Sequence, residues 1–449
     1  MLVQKAESVD QIFQCFRNQA LQPDELDAYY VEADEARGGT PVRRRIIRQL
    51  EANQDDKNHL LLVGYKGCGK STELNHLQKE LDDRFLIINY SVMSELDPQH
   101  LNYIELFIVT LEKLFDLASE KGYKVSEEYL KRIQHWLSSK EIEDIKDKYI
   151  SGEAEAGSES GIGIPFLQKF FLKFRLSAKS SRSLKETLKT NIEPKLSDLI
   201  DHCNTLIQEI NRQIWAERKY GLLIIIEDLD KIPIDRAEDL FFNYANQLTQ
   251  LKANIIFTFP ITVYYHIRFN QIQPYFKAFE LPMIKTHTRE GTPFQMGIDL
   301  LKSIVERRMD LSLFESTDLL ELLIEKSGGC IRDLFRMVTE SAEQALDYER
   351  DKITAQDCER AVMTLRRDYE NTIADNRRGG MVIEAQAYYD ALAEVVKDAT
   401  KKPANTEVLL DLRQNLCLLG YNGEGWCDVH PVVKDILINK GLVKDDTAG

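Results

Sequence analysis

Nine consecutive residues hold the clearest chemistry in the sequence. Residues 64–71 fit the pattern GxxxxGK[ST] in full, after an aliphatic run and before a helical stretch. Glycines let the backbone curl so that successive N–H groups face one point, and the following helix adds its partial positive charge. Lys70 would neutralise phosphate charge, and Ser71 would offer its hydroxyl to Mg²⁺. The predicted cradle for the β- and γ-phosphates of a nucleotide comprises Gly64, Tyr65, Lys66, Gly67, Cys68, Gly69, Lys70, Ser71 and Thr72.

A cluster of acids supplies the second half of the predicted site. The aliphatic run at 222–226 ends in Glu227-Asp228, and Asp230 follows. Two adjacent carboxylates at a strand tip can divide the work, one holding the metal and the other polarising the attacking water. Their order is the reverse of the common Asp-Glu, which leaves the division open. We favour Glu227 as the metal ligand, with Ser71, and Asp228 as the water activator; solvated acids in a strand-ending turn are the alternative.

Short aliphatic runs must position these groups. They lie at 60–63, 85–90, 222–226 and 254–259, with a further short strand at 278–284, and helical stretches separate them. Unbroken aliphatic strands alternating with helices indicate a parallel sheet covered on both faces. The predicted fold class is therefore α/β, a phosphate-loop NTPase sheet flanked by helices. Lys70 and Glu227 are 157 residues apart, so an insertion at about 101–218 must leave and rejoin the core.

A glycine break followed by an arginine completes a recognisable set. Residues 327–334 read Ser-Gly-Gly-Cys-Ile-Arg-Asp-Leu, which puts Arg332 near the start of a helix. With the phosphate loop and the Glu227 strand end, this stretch resembles the AAA+/STAND group of P-loop ATPases, in particular its origin-recognition-type and prokaryotic signalling branches. The resemblance covers about 30–370.

The resemblance implies an ATPase that uses ATP and Mg²⁺. It implies that the lid residue Arg332 reports the γ-phosphate and that Thr258, on the strand between the two phosphate motifs, is a first sensor. A surface arginine and a buried hydroxyl bonded to backbone are the alternatives for these two residues. Ring-forming relatives would also need an arginine acting across subunits, for which the unranked candidates are Arg268, Arg307 and Arg308.

Four segments follow from the pattern. They are an N-terminal helical extension (1–57), the ATPase core (58–290), a helical lid (291–375) and a winged-helix-like C-terminal module (381–449), whose wing would run from 416 to 429 around Asn422-Gly423. The last segment holds 7 basic and 11 acidic residues, which argues against a phosphate-gripping role. Trp426 and His430 are expected to be packing residues, and the module to make protein–protein or autoinhibitory contacts.

The segment 165–189 follows a small, acidic stretch (151–161) and is basic and aromatic. It holds seven basic residues, one acid and four phenylalanines. Lysines could track phosphates while the rings stack on bases. Alternatively, the rings form the core face of an element and the lysines its solvated face. Nucleic-acid binding through 165–189 is therefore possible but not favoured.

Composition narrows the class of protein. The 449 residues hold 58 Lys and Arg against 73 Asp and Glu, a net charge of −15. This balance argues against a protein that binds nucleic acid over its whole surface. Seven cysteines without a CxxC pair, no membrane-length apolar run and no secretory signal pattern predict a cytoplasmic protein. Patterns of metalloproteases, zinc fingers, serine hydrolases and guanine-specific NTPases are absent.

The expected function is that of a Mg-ATP-binding and hydrolysing switch. The resemblance implies prokaryotic signalling or antiphage (antiviral) defence beside an effector protein, with a protein partner or a homo-oligomer and no membrane. Two alternatives stay open: an origin-type DNA-binding loader ATPase, and a nucleotide-binding scaffold without turnover.

Overall fold

A five-stranded parallel sheet forms the centre of the protein. The computed structural model describes residues 5–39, 41–52, 57–137, 139, 163–180, 192–217, 219–378, 381–421 and 425–444. The sheet has the spatial order β2-β3-β4-β1-β5, and every neighbouring pair is parallel. Its strands are β1 (His59–Gly64), β2 (Phe85–Ser91), β3 (Gly221–Glu227), β4 (Asn254–Phe259) and β5 (Lys277–Leu281).

The central strands are buried on both faces, as their unbroken aliphatic sequences predict. Every residue of β4 is buried, and β1 and β3 each have only one residue that is partly exposed. This confirms the predicted α/β fold class. Because all five strands run in the same direction, Gly64 at the end of β1 and Glu227 at the end of β3 both lie at the carboxyl-terminal end of the sheet.

Helices surround the sheet and continue beyond it. Those of the N-terminal and core part are Val42–Ala52, Lys70–Leu81, Tyr103–Lys121, Glu127–Leu137, Ile164–Ser180 and Leu196–Ala216, with short turns of helix at Ile12–Cys15, Leu26–Tyr29, Val92–Glu95, Ile234–Glu238, Ala245–Leu248 and Ile261–Tyr265. The helices of the segment predicted to be a lid (291–375) are Gln295–Glu306, Thr317–Lys326, Ile331–Asp347 and Ala355–Thr372. The predicted glycine break lies between the second and third of these lid helices.

The C-terminal segment folds as three helices and a two-stranded antiparallel sheet. At its start, β7 (Met381–Ile383) pairs antiparallel with the preceding strand β6 (Asn376–Arg378). Its helices are Ala385–Lys397, Glu407–Gln414 and Pro431–Asn439, and its strands are β8 (Leu418–Tyr421) and β9 (Trp426–Val429). The predicted turn residues Asn422 and Gly423 lie outside the described residues.

Within the insertion, the aromatic side chains of the basic segment are core residues. The helix Ile164–Ser180 packs on the helix Tyr103–Lys121, and Phe170, Phe171 and Phe174 are at most 4% exposed. Such buried rings offer no stacking platform for bases, so the described part of 165–189 fits the core-face alternative. The rest of it (181–189) and the acidic stretch 151–161 lie outside the described residues.

Arg43 fastens the N-terminal extension to the helix that follows the phosphate loop. Its side chain is 4% exposed and makes ion pairs of 2.7–2.8 Å with Glu32, Glu73 and Glu80. It also donates to the Tyr30 hydroxyl at 2.6 Å. Burial opposes the charge of Arg43, but the surrounding glutamates, Glu73 foremost, leave the pKa of the guanidinium raised. This network holds the extension over the site.

In the part of the chain that the structure describes, no helix has the length and apolar character needed to cross a membrane.

Replacement of Arg43 should destabilise the fold. Arg43→Ala leaves the acids clustered without their cation, and we expect the free energy of unfolding to fall by about 2–3 kcal/mol. The control is Arg44→Ala at the neighbouring exposed position, where we expect a change within about 0.5 kcal/mol. Urea denaturation of both variants measures the difference, and equal losses would contradict this role.

Candidate nucleotide-binding site

The loop after β1 has the curled backbone that its glycines predict. Gly67 and Gly69 have φ angles of 82° and 103°, in the left-handed region that favours glycine. Gly69 is the N-cap of the helix Lys70–Leu81. The unpaired N–H groups of the first helical turn therefore point back toward the loop. A curled loop joined to a helix N-terminus is suited to a phosphate chain.

Lys70 lies at the centre of the site. Its Nζ donates to the carbonyl oxygens of Gly64 and Tyr65 at 2.8 and 2.9 Å, and lies 2.9 Å from Asp230 Oδ2. The side chains of Lys70 and Asp230 are 6% and 5% exposed. Burial acts to lower the pKa of Lys70, but the charge and hydrogen bond of Asp230, together with Cys68, leave that pKa raised. The same attraction overcomes burial at Asp230 and lowers its pKa, so both groups stay ionised.

Glu227 faces the start of the phosphate-loop helix. Its carboxylate accepts from Asn89 Nδ2 at 2.8 Å. Burial raises the pKa of Glu227, and the neighbouring Asn89 and Ser71 side chains offset this only in part. The structure therefore brings together Ser71 and Glu227, the pair that the sequence assigns to Mg²⁺.

Asp228 turns away from the line of its strand. Its φ of 68° is left-handed, a conformation that an aspartate adopts at a cost and that recurs at functional sites. Its carboxylate accepts from the Ser91 hydroxyl and pairs with Lys231 Nζ at 2.5 Å. Asp228 and Glu227, though adjacent in sequence, thus have separate partners.

Thr258 is buried within β4, between the strands that carry the two phosphate motifs. Its Oγ1 accepts from the Leu229 backbone N–H at 3.0 Å, and the residue is 1% exposed. This bond fixes the turn that holds Asp228 and Asp230. The structure thus gives Thr258 the backbone contact of its alternative interpretation, while its hydroxyl hydrogen is still available to donate.

Arg332 lies against the phosphate loop from the lid side. A Cβ placed on Gly67 would be 2.8 Å from Arg332 Cβ and 3.1 Å from Cys330 Sγ, so only glycine fits there. On the other side of the lid turn, a Cβ on Gly329 would be 1.8 Å from the Ile284 carbonyl oxygen. These close approaches hold the lid arginine beside the loop.

A cleft runs from the loop to the N-terminal extension. Arg37 is 2% exposed and donates to the Cys68 carbonyl oxygen at 2.6 Å and to the Pro282 carbonyl oxygen. Thr72, predicted to contact the nucleotide, accepts from the Leu21 backbone N–H at 3.2 Å and so also holds the extension. Beyond the loop, the cleft is lined among others by Leu21, Tyr29, Tyr30, Val31, Ile304, Ile331 and Phe335.

The charges around the cleft suit a polyanion. Lys66, Lys70, Arg37 and Arg332 all line it. Burial lowers the pKa of Lys66, with the positive charge of Arg332 adding to the effect and Asp230 opposing it. Among the described residues, no group of three His, Cys, Asp or Glu side chains could hold a metal. One hydroxyl and one or two carboxylates are nevertheless the small share that a protein gives a Mg²⁺ completed by phosphates and water.

The other arginines considered lie away from the loop. Arg308 is 5% exposed, donates to the Ile304 carbonyl oxygen at 2.8 Å, and lines the far end of the cleft. Arg307 donates to the Ala28 carbonyl oxygen at 3.2 Å, and Arg268 lies over the Phe242 ring at 4.5 Å. Burial inside its own chain makes Arg308 unsuited to act across subunits.

The sequence assigns no role to three residues of this site. Asp230 is the counter-ion of Lys70, and the sequence shows it only as the third acid after the strand. Asn89 bonds Glu227 from β2, and Arg37 supports the loop from the extension; neither has a local pattern in the sequence. Trp426 and His430, expected to pack, are 2% and 0% exposed.

The Lys70–Asp230 pair predicts an unusual response to ligand. Asp230→Asn leaves a buried ammonium without its anion, which should cost about 3 kcal/mol without nucleotide. Bound phosphates would replace the missing charge, so the rise in Tm caused by Mg-ATP should exceed that of the wild type. Differential scanning calorimetry with and without Mg-ATP tests this, with exposed Asp235→Asn as control. Equal rises in the two variants would contradict it.

The raised pKa of Glu227 predicts the sign of a pH effect. A carboxyl whose pKa is higher in the folded state favours folding less as the pH rises through that pKa. Glu227→Gln should therefore raise the Tm of the nucleotide-free protein near pH 7, and the gain should shrink toward pH 4.5. Exposed Glu120→Gln is the control. A gain that grows at acid pH would show that burial does not dominate at Glu227.

Comparisons with known proteins give likenesses of shape alone. No protein-family model matches the sequence, and no curated protein matches it. The structure is similar to that of the Aeropyrum pernix ORC2 protein in its ADPNP–ADP complexes, at 13% identity over 96% of this chain and 99% of that chain, with a TM-score of 0.40. It is also similar to a Walker-type ATPase of Pyrococcus abyssi (14% identity, 94% and 99% covered, TM-score 0.41). A third is the RuvB Holliday junction branch migration motor of Thermotoga maritima (11% identity, 91% and 98% covered, TM-score 0.34). Because all three scores are low, nothing about the ligand, activity or partners of this chain follows from them.

Proposed function

We propose that this protein is an AAA+/STAND-type molecular switch that binds and hydrolyses Mg-ATP. The observation that carries the proposal is that three segments far apart in the sequence meet at the carboxyl-terminal end of the sheet. Lys70 and Ser71 come from the phosphate loop, the acids Glu227 to Asp230 from the end of β3, and Arg332 from the lid. Lys70 contacts Asp230 at 2.9 Å, Ser71 is near enough to Glu227 to lower its pKa, and Arg332 lies against Gly67.

Each of these groups has a distinct task in the proposed reaction. The loop amides and Lys70 would hold the phosphate chain, with Lys70 leaving Asp230 for the stronger phosphate charge. Ser71 and Glu227 would hold Mg²⁺, which draws charge from the phosphates when bound. Asp228 would accept the proton of the attacking water, and Arg332 would stabilise the charge that develops on the γ-phosphate.

Two arrangements in the structure support dividing the acids in this way. Glu227 is near Ser71, the hydroxyl at the start of the helix, which lowers the pKa of Glu227, and this neighbour supports placing Glu227 on the metal side. Asp228 is directed elsewhere by its left-handed backbone, toward Ser91 and Lys231. Thr258, which holds the Leu229 amide, would transmit the state of the site to β4.

The biological role that we propose is prokaryotic signalling or antiphage defence in the cytoplasm, beside a protein effector or a second copy of the chain. This role rests on the resemblance of the phosphate loop, the Glu227 strand end and residues 327–334 to the motifs of the AAA+/STAND group. An origin-type DNA-loading ATPase is the alternative. The buried phenylalanines of 165–180 and the acidic balance of 381–449 count against DNA binding through those two segments.

Phosphate release from ATP, measured beside the binding of a fluorescent ATP analogue, tests the proposal. Lys70→Ala should weaken binding at least about tenfold and abolish turnover, because the phosphate charge loses its cation. Asp228→Asn should bind within about threefold of wild type and lose about 100-fold or more in turnover. Lys121→Ala, at an exposed position at the end of the helix Tyr103–Lys121, is the matched control and should behave as wild type.

The same assay separates the alternatives. Binding without phosphate release in the wild type would indicate a scaffold that does not turn over. A large rise in rate on adding DNA would favour the loader. A rate per molecule that increases with protein concentration would reveal catalysis across subunits. Absence of nucleotide binding in the wild type would refute the proposal.

A further inference from the structure

The second residue of the phosphate loop contacts the C-terminal module directly. Tyr65 is fully buried, and its hydroxyl accepts from Arg413 Nη1 at 2.6 Å. Arg413 belongs to the helix Glu407–Gln414. Tyr65 also offers its carbonyl oxygen to Lys70 at 2.9 Å. Tyr65 thus links two parts of the protein. Its side chain contacts the C-terminal module, and its backbone carbonyl group contacts Lys70.

Strand β8 of the module covers the Tyr65 ring. A Cβ on Gly420 would be 2.8 Å from the Tyr65 hydroxyl oxygen and 3.0 Å from its ring. The Gly420 carbonyl oxygen accepts from the Met283 backbone N–H at 3.1 Å, just beyond β5. The module is therefore seated on the core at the edge where the phosphate loop begins, and the absence of a side chain at Gly420 permits the approach.

Arg413 is buried beside Tyr65 and is held by contacts other than an ion pair. Its guanidinium is 5% exposed, and no carboxylate among the described residues lies within ion-pair distance. Its Nη2 reaches only Cys427 Sγ at 3.5 Å, and Nε has no hydrogen-bond partner. The Tyr265 ring faces it at 4.3 Å. The 2.6 Å bond to the Tyr65 hydroxyl is therefore the shortest of these contacts of Arg413.

The module also holds the turn that carries the lid arginine. The Tyr421 hydroxyl donates to the Gly328 carbonyl oxygen at 2.7 Å, and Lys326 pairs with Asp435 at 2.8 Å. A Cβ on Gly328 would be 2.7 Å from Pro431. The C-terminal module therefore contacts both walls of the cleft, the phosphate loop through Tyr65 and the lid turn through Gly328.

We propose that Arg413 is a positioning residue for the phosphate loop and that the docked C-terminal module completes the nucleotide site. By fixing Tyr65, Arg413 fixes the carbonyl group against which Lys70 is held and the start of the curl that leads to Gly67. Release of the module loosens this curl and weakens the hold on the phosphates. By reciprocity, bound nucleotide strengthens docking of the module. This inference rests on the function proposed above.

Removal of a single oxygen tests it. Tyr65→Phe keeps the ring and deletes the acceptor of Arg413. We expect KM for ATP and the dissociation constant of ADP to rise by about three- to tenfold, with kcat within about twofold of wild type, because the loop holds the ground state and the transition state alike. Hydrogen exchange at the amides of 64–69 should become faster in the nucleotide-free protein.

A matched variant separates positioning from loss of stability. Tyr388 lies in the same module, donates to Asp411 at 2.8 Å and lines a separate cavity beside Ile373 and Cys417. Tyr388→Phe should lower the Tm while leaving ADP affinity and the exchange of loop amides at wild-type values. Arg413→Met should match Tyr65→Phe, the double variant should be no weaker than either, and Arg413→Lys should recover part of the affinity.

The outcomes distinguish this inference from the proposed function. If the wild type binds ADP and Tyr65→Phe binds it equally well, the inference is wrong and the proposed function stands. If Tyr65→Phe binds more tightly, the module restrains the site instead of completing it, which also overturns the inference. If the wild type binds no nucleotide, both fall together.

Discussion

The site depends on one buried ammonium. Lys70 is enclosed by two carbonyl oxygens of its own loop and by Asp230, and each of these contacts constrains a different part of the chain. The carbonyl groups set the curl of the loop, and Asp230 sets how the turn after β3 approaches it. A charge this deeply buried is tolerable only when its partners are in place. The architecture therefore has to bring the end of β3 to the phosphate loop before the loop is stable.

Parallel strands make that meeting possible despite the long insertion. The chain leaves the sheet after β2 and returns at β3, and the insertion packs its own helices and aromatic rings in between. Because β4 separates β1 from β3, the acids and the loop lie across one strand from each other. Thr258 on β4 ties that middle strand to the acidic turn. The lid and the N-terminal extension close the remaining sides, with Arg332 and Arg37 facing the loop.

Local patterns predict the parts of this site that local physics determines. The glycines, Lys70 and Ser71 follow from the geometry of a strand, a curl and a helix, and the aliphatic runs predict the parallel sheet. Asn89 and Arg37 could not be found in this way, because their roles depend on which strand lies beside β3 and on where the extension lies. The basic aromatic segment 165–180 shows the reverse limit. Its composition suits either a nucleic-acid surface or a core, and only packing against the helix Tyr103–Lys121 decides between them.

Gly67 and Arg332 are packed so closely that a single added carbon atom at residue 67 would collide with Arg332. The two walls of the cleft meet where residue 67 has only hydrogen on its α-carbon, and a methyl group there would act as a wedge. The approach of Cys330 and Arg332 to the phosphate loop is therefore limited by the absence or presence of one carbon atom at residue 67. Alanine at this position would leave the charges of the site unchanged, but it would force Arg332 and the loop apart.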